Sequence, residues 1–97
     1  MSDRESILAR LRQALPSLKQ HYPIRSLGLF GSTARGDGGD ASDIDILVEF
    51  TRPVSLSTFL ALEDELRRLL GRSIDLVSQQ ALKPHVRRTV AHDLVKV

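Results

Sequence analysis

The segment Ile44-Asp45-Ile46-Leu47-Val48-Glu49-Phe50 constrains this chain more than any other stretch. Apolar residues recur there with period two, so in a β-strand Ile44, Ile46, Val48 and Phe50 share one face and predict the core side. Asp45 falls on the other face, and Asp43 continues that alternation upstream. The two carboxylates then stand about 6.5–7 Å apart along the strand. A chain of 97 residues supports one domain with one core, read as residues 1–97. One face of a small sheet must therefore be covered by helices, leaving the acids on the face opposite.

The remaining segments supply those partners. Ser2-x-x-Glu5 reads as a capping box, and Ile7, Leu8, Leu11 and Leu15 follow at helical spacing. Pro16 is expected to end or kink that helix, with a further turn around Leu18. Residues 24–30 read as a strand, followed by the small-residue segment 31–36 and a turn over 37–40. A serine at 55 or 57 can cap a second helix, with Leu56, Phe59, Leu60, Leu66, Leu69 and Leu70 facing the core and Gly71 at its C′ position. Residues 73–77 read as a third strand. Pro84 suits the first turn of a last helix with Val86 and Val90 inward, before a short apolar end, Leu94-Val95-Lys96-Val97. The order α-β-turn-β-α-β-α predicts an α/β or α+β sheet with helices packed against it.

Composition excludes several classes. There is no cysteine, hence no disulfide framework, thiolate nucleophile or cysteine-ligated metal. No apolar run approaches the roughly 20 residues a bilayer span needs, and the first residues form no leader-like apolar stretch, so a cytoplasmic location is expected. Fourteen Lys+Arg against twelve Asp+Glu leave +2, with the signs interleaved. No basic stripe with aromatics marks a nucleic-acid binder. His21, His85 and His92 lack metal-ligand spacing. Tyr22 reads as a packing residue, and Arg87-Arg88 as a solvated face that could also meet a partner or phosphates.

Chemistry concentrates between Phe30 and Val48, with one addition downstream. Asp-x-Asp alone is compatible with a solvated strand edge. In the third strand, however, Asp75 stands between Ile74 and Leu76 and points away from the core. If the second and third strands are neighbours, Asp43, Asp45 and Asp75 converge, and an all-oxygen anionic set suits a hard divalent cation such as Mg2+. Gathering three carboxylates without a cation would destabilise the sheet. Upstream, Gly31-Ser32 follows a strand and opens a small-residue turn, where backbone N–H groups, a hydroxyl and a helix N-terminus could cradle phosphate. The order is neither a P-loop nor a dinucleotide fingerprint.

Together, Gly31-Ser32-Thr33-Ala34-Arg35-Gly36, a five-residue spacer and Ser42-Asp43-Ile44-Asp45-Ile46-Leu47-Val48 resemble the signature of the polymerase-β-like nucleotidyltransferase superfamily. More narrowly, they are similar to the minimal nucleotidyltransferases encoded beside HEPN-domain partners. Ile46 replaces the commoner leucine, a conservative change. The resemblance implies a small mixed β-sheet flanked by about four helices. It further implies that Gly31 and Ser32 bind the triphosphate, with Ser42 grouped among the nucleotide-binding residues. Asp43, Asp45 and Asp75 would hold two Mg2+ ions, Asp75 also helping to activate the acceptor hydroxyl, while Arg35 would touch phosphate or brace the turn. The implied activity is transfer of AMP from ATP to a hydroxyl, a tyrosine on a cognate HEPN toxin, with this chain as antitoxin. So small a chain leaves little wall for an acceptor pocket, which favours a protein acceptor. Two rivals stand beside it: a binding module that neutralises its partner by contact alone, and a small-molecule transferase resembling the aminoglycoside-modifying branch, which normally carries an additional helical domain.

Overall fold

The computed structural model describes residues 3–31, 34 and 43–97. Helix α1 (Asp3–His21) leads to β1 (Ile24–Phe30), and β2 (Ile44–Phe50) is followed by α2 (Leu56–Leu70) and β3 (Ile74–Ser78). A 3-10 turn (Gln79–Ala81), α3 (Pro84–Asp93) and β4 (Val95–Lys96) complete the chain. The strands form one mixed sheet in the order β3-β2-β1-β4. β1 runs antiparallel to β2 and to β4. β2 and β3 are parallel, as the α2 crossover between them requires. Three α-helices are present among the described residues.

The period-two reading of β2 holds. Ile44, Ile46 and Val48 are fully buried and Phe50 nearly so. They pack with Leu27 and Leu29 of β1, Ile74 and Leu76 of β3, Ile7, Leu8, Leu11 and Leu18 of α1, and Leu62, Leu66 and Leu70 of α2. Leu47 and Val90 are buried outside that cluster. On their side of the sheet, Leu47 is the register partner of Gly28, and Leu94, at the end of α3, lies against Gly28.

Ser55 caps α2, its Oγ accepting the Thr58 amide at 3.2 Å. Gly71 closes the helix in the left-handed region, φ 65°, with its N–H bonded to the Arg67 carbonyl. On the exposed face Arg67 pairs with Glu63 (3.4 Å) and Arg68 with Asp64 (2.5 Å), contacts worth about 0.3–0.5 kcal/mol each.

Four expectations are corrected. Helix α1 runs unbroken through Pro16. Arg12 and Pro16 are both exposed, so the carbonyl that loses its amide partner lies on the solvent side, where water can meet it. In α2 the inward stripe is Leu62, Leu66 and Leu70, flanked by Phe59 and Leu69, whereas Leu56 and Leu60 are 72% and 49% exposed. Those two share a helical row with Glu63 and Arg67. Val86 is exposed, and only Val90 turns inward on α3. The apolar end is an edge strand: Lys96 and Val95 pair with Gly28 and Leu29, and the Val97 amide reaches the Leu27 carbonyl at 3.0 Å. The expected capping role of Ser2 lies outside the described residues.

The corrected α2 register has a direct test. Leu62→Ala is expected to lower unfolding free energy by about 2–5 kcal/mol, the range for emptying a closed core site. Leu60→Gln should shift it by no more than about 0.5 kcal/mol. Urea denaturation of the two variants distinguishes the stripes.

Candidate active site

Asp45 and Asp75 are register partners on the parallel strands β2 and β3. The pairs above and below them, Ile44 with Ile74 and Ile46 with Leu76, are buried in the core. Alternation therefore puts both carboxylates on the opposite face, on strands about 4.8 Å apart. The alignment is extended at the strand starts, where the Ile44 amide donates to the Ser73 carbonyl at 2.9 Å. Asp45 is half-buried and Asp75 exposed. Like charges directly across a ladder destabilise it, so this pair is a cost the sheet carries.

Gly31 approaches the same carboxylate from the other side. Phe30, the last residue of β1, is the register partner of Asp45. The chain then turns at Gly31 with φ 71°, and a Cβ built on Gly31 would run into the Asp45 carboxylate. Both the positive φ and the close approach require glycine. The backbone of the predicted phosphate turn thus begins against one of the two paired acids.

Asp43, exposed, immediately precedes β2. Among the described residues, no three acidic or histidine side chains are gathered closely enough to hold a metal ion. The donor set is nevertheless all-oxygen and anionic, the chemistry Mg2+ takes, and two of its three members are side by side. Ser32, Arg35 and Ser42 lie outside the described residues, and Ala34 is buried at 3% exposure.

Other sequence candidates find ordinary partners. Ser26 Oγ donates to Glu49 at 3.3 Å, farther along β2 than Asp45. Tyr22 packs against the core, and burial, then its hydrogen bond to Glu65, raises the phenol above its ordinary 10.0. A His21 ring nitrogen lies 2.8 Å from the Ser17 carbonyl. Arg87 donates to the carbonyls of Gln79 and Leu82, both at 3.4 Å, bracing the turn before α3. A groove of about 1030 Å³ opens between Arg25, Phe50, Arg52, Phe59 and Leu76. Its Phe50 end lies about 16 Å from Asp45 by strand rise, and neither Asp45 nor Asp75 lines it.

Two contacts at the start of α1 escape a reading of the sequence. Arg4 Nη1 donates to the Ala34 carbonyl at 3.0 Å, and Arg72 Nη1 meets Asp3 at 2.7 Å. Partners 30 and 69 positions apart leave no local pattern, and scattered arginines ordinarily read as solvated surface.

Residues 11–97 match the family model described as the nucleotidyltransferase domain. The protein adenylyltransferase MntA of Thermococcus cleftensis is 38% identical over 97 residues, covering 100% of this chain and 95% of its own length. A solved minimal nucleotidyltransferase superposes with TM-score 0.82 at 33% identity, over 100% of this chain and 97% of that one. Two more distant structures share the fold at TM-score 0.70. One is a toxin–antitoxin with AMP-PNP (23% identity, covering 97% of this chain and 71% of that one). The other is a tri-AMPylated Shewanella oneidensis HEPN toxin in complex with its MNT antitoxin (20% identity, covering 93% and 70%).

Proposed function

This chain belongs to the nucleotidyltransferase domain family, and from that premise we propose that it transfers AMP from ATP to a tyrosine hydroxyl of a cognate HEPN toxin, acting as the antitoxin. The observation that carries the reading is the Asp45–Asp75 register pair with Gly31 against it. Two aligned carboxylates on the face away from the core serve no packing purpose. They fit a site where a cation and a triphosphate meet. The names of the relatives support the acceptor class: an adenylyltransferase at 38% identity over the full chain and a fold neighbour whose HEPN toxin carries AMP.

The chemistry follows from these positions. The acceptor oxygen attacks the α-phosphorus in line, an O–P bond forms, and the bond to pyrophosphate breaks as the hydroxyl proton leaves. Asp43, Asp45 and Asp75 would hold Mg2+. When bound, the ion neutralises the triphosphate and lowers the pKa of the attacking hydroxyl. Gly31 would let the backbone come close to the phosphates without a side chain in the way, and Ser32, next in sequence, would add a hydroxyl. Asp75, the more exposed of the pair, would help take up the hydroxyl proton. The chain's contribution is largely positioning and charge compensation.

The test is a mass measurement. The cognate toxin, incubated with this protein, ATP and Mg2+, is expected to gain about 329 Da per AMP added, with the modified residue mapped to a tyrosine by peptide fragmentation. A toxin neutralised at unchanged mass would overturn the catalytic account in favour of contact alone.

A further inference from the structure

We propose that Arg4 is a positioning residue for nucleotide transfer, holding the Ala34 end of the segment whose other end, Gly31, abuts Asp45. The inference rests on the reading of that segment as the triphosphate turn. Gly31 is fixed by the end of β1 and by its approach to Asp45. Ala34, three residues on, is 3% exposed and part of the core cluster. Its carbonyl accepts from Arg4 Nη1 at 3.0 Å. Arg4 is half-buried, and a guanidinium donating to a carbonyl is a charge-assisted hydrogen bond, which fixes the position of the carbonyl it meets.

The neighbouring residue supports the same role. Asp3 pairs with Arg72 at 2.7 Å, and the Arg72 side chain is only 17% exposed. Arg72 precedes Ser73, whose carbonyl accepts the Ile44 amide at 2.9 Å, and it lies three residues before Asp75. The first turn of α1 thus reaches Ala34, three residues beyond Gly31, through Arg4, and the approach to β3 through Asp3. Donors on a phosphate turn must be placed to within a fraction of an ångström, and a shift of about 1 Å can cost about 100-fold in rate. A brace thirty residues away in sequence supplies that placement.

The test uses the full chain and AMP-PNP as probe. Arg4→Met keeps the aliphatic stem and removes the donors. It is expected to weaken AMP-PNP binding in calorimetry about tenfold, through displacement of the turn rather than loss of a contact to the nucleotide, and to lower kcat/KM at least as much. The thermal midpoint should stay within about 4–8 °C of wild type. Arg4→Lys, which keeps the charge, should recover part of the affinity. AMP-PNP affinity and kcat/KM unchanged in Arg4→Met, or a loss that only follows a falling midpoint, would overturn the role of Arg4. If Arg4→Met does not fold, Arg4→Gln is read by the same criteria. Wild-type protein that fails to bind AMP-PNP would instead overturn the nucleotidyltransferase reading, and the role of Arg4 with it.

Discussion

Asp45→Asn is expected to reduce AMP transfer at least about 1000-fold, close to 4 kcal/mol of transition-state stabilisation, while leaving the fold intact. The substitution is isosteric, so Ile44 and Ile46 on either side keep their core contacts and the register with β3 is retained. What it removes is one of two carboxylates aligned across the ladder, the one that also lies against Gly31. In the absence of cation and nucleotide the protein should still fold and unfold cooperatively in urea. Activity and stability are therefore expected to separate. Mass spectrometry of the toxin after incubation with ATP and Mg2+ reads the first, and urea denaturation reads the second. AMP transfer persisting at near wild-type rate in a folded Asp45→Asn protein would remove the carboxylate pair from the catalytic centre. Asp75→Asn, tested in parallel, should also be impaired, because the mechanism uses both members.

Of the two long strands, β2 was legible because it carries its own alternation, whereas β1 is interrupted by a register shift between Ile24 and Ser26. Ile44 to Phe50 encodes which side is core without reference to anything else, and the strands at 24–30 and 44–50 have the bounds the sequence predicts. The pairing of Asp45 with Asp75 was conditional: each acid could be assigned to the solvent side of its strand, but adjacency depends on the crossover through α2. The α2 stripe was misread for a related reason. Leucines at 56, 60, 62, 66, 69 and 70 spread over about half the helix circumference, wider than the arc that is buried, so hydrophobicity alone does not choose it. The Glu63–Arg67 pair marks the solvent row that takes Leu56 and Leu60 with it. β4 escaped because two paired residues are too few for periodicity to register. Arg4 and Asp3 left no signal at all, since their partners are set by how α1 crosses the sheet.

Gly31→Ala provides the sharpest separation between backbone strain and damage to the site. Among the described residues two glycines adopt positive φ, Gly31 at 71° and Gly71 at 65°, so an alanine at either meets a similar conformational cost of about 1–2 kcal/mol. Their surroundings differ. At Gly71 an added Cβ meets nothing within 4 Å, whereas at Gly31 it collides with the Asp45 carboxylate. Gly71→Ala is thus expected to lose stability and keep its AMP-transfer rate. Gly31→Ala should lose a comparable amount of stability and, in addition, at least about 100-fold in kcat, because either the turn or the carboxylate must move by roughly an ångström. Circular-dichroism melts and AMP-transfer rates on the two proteins provide the comparison. Equal kinetic losses would mean that activity follows stability and that Gly31 has no special relation to Asp45. A loss confined to Gly31→Ala cannot come from the strain, which is common to both, and would tie activity to what the added methyl group meets, the Asp45 carboxylate and the approach of phosphate to the turn.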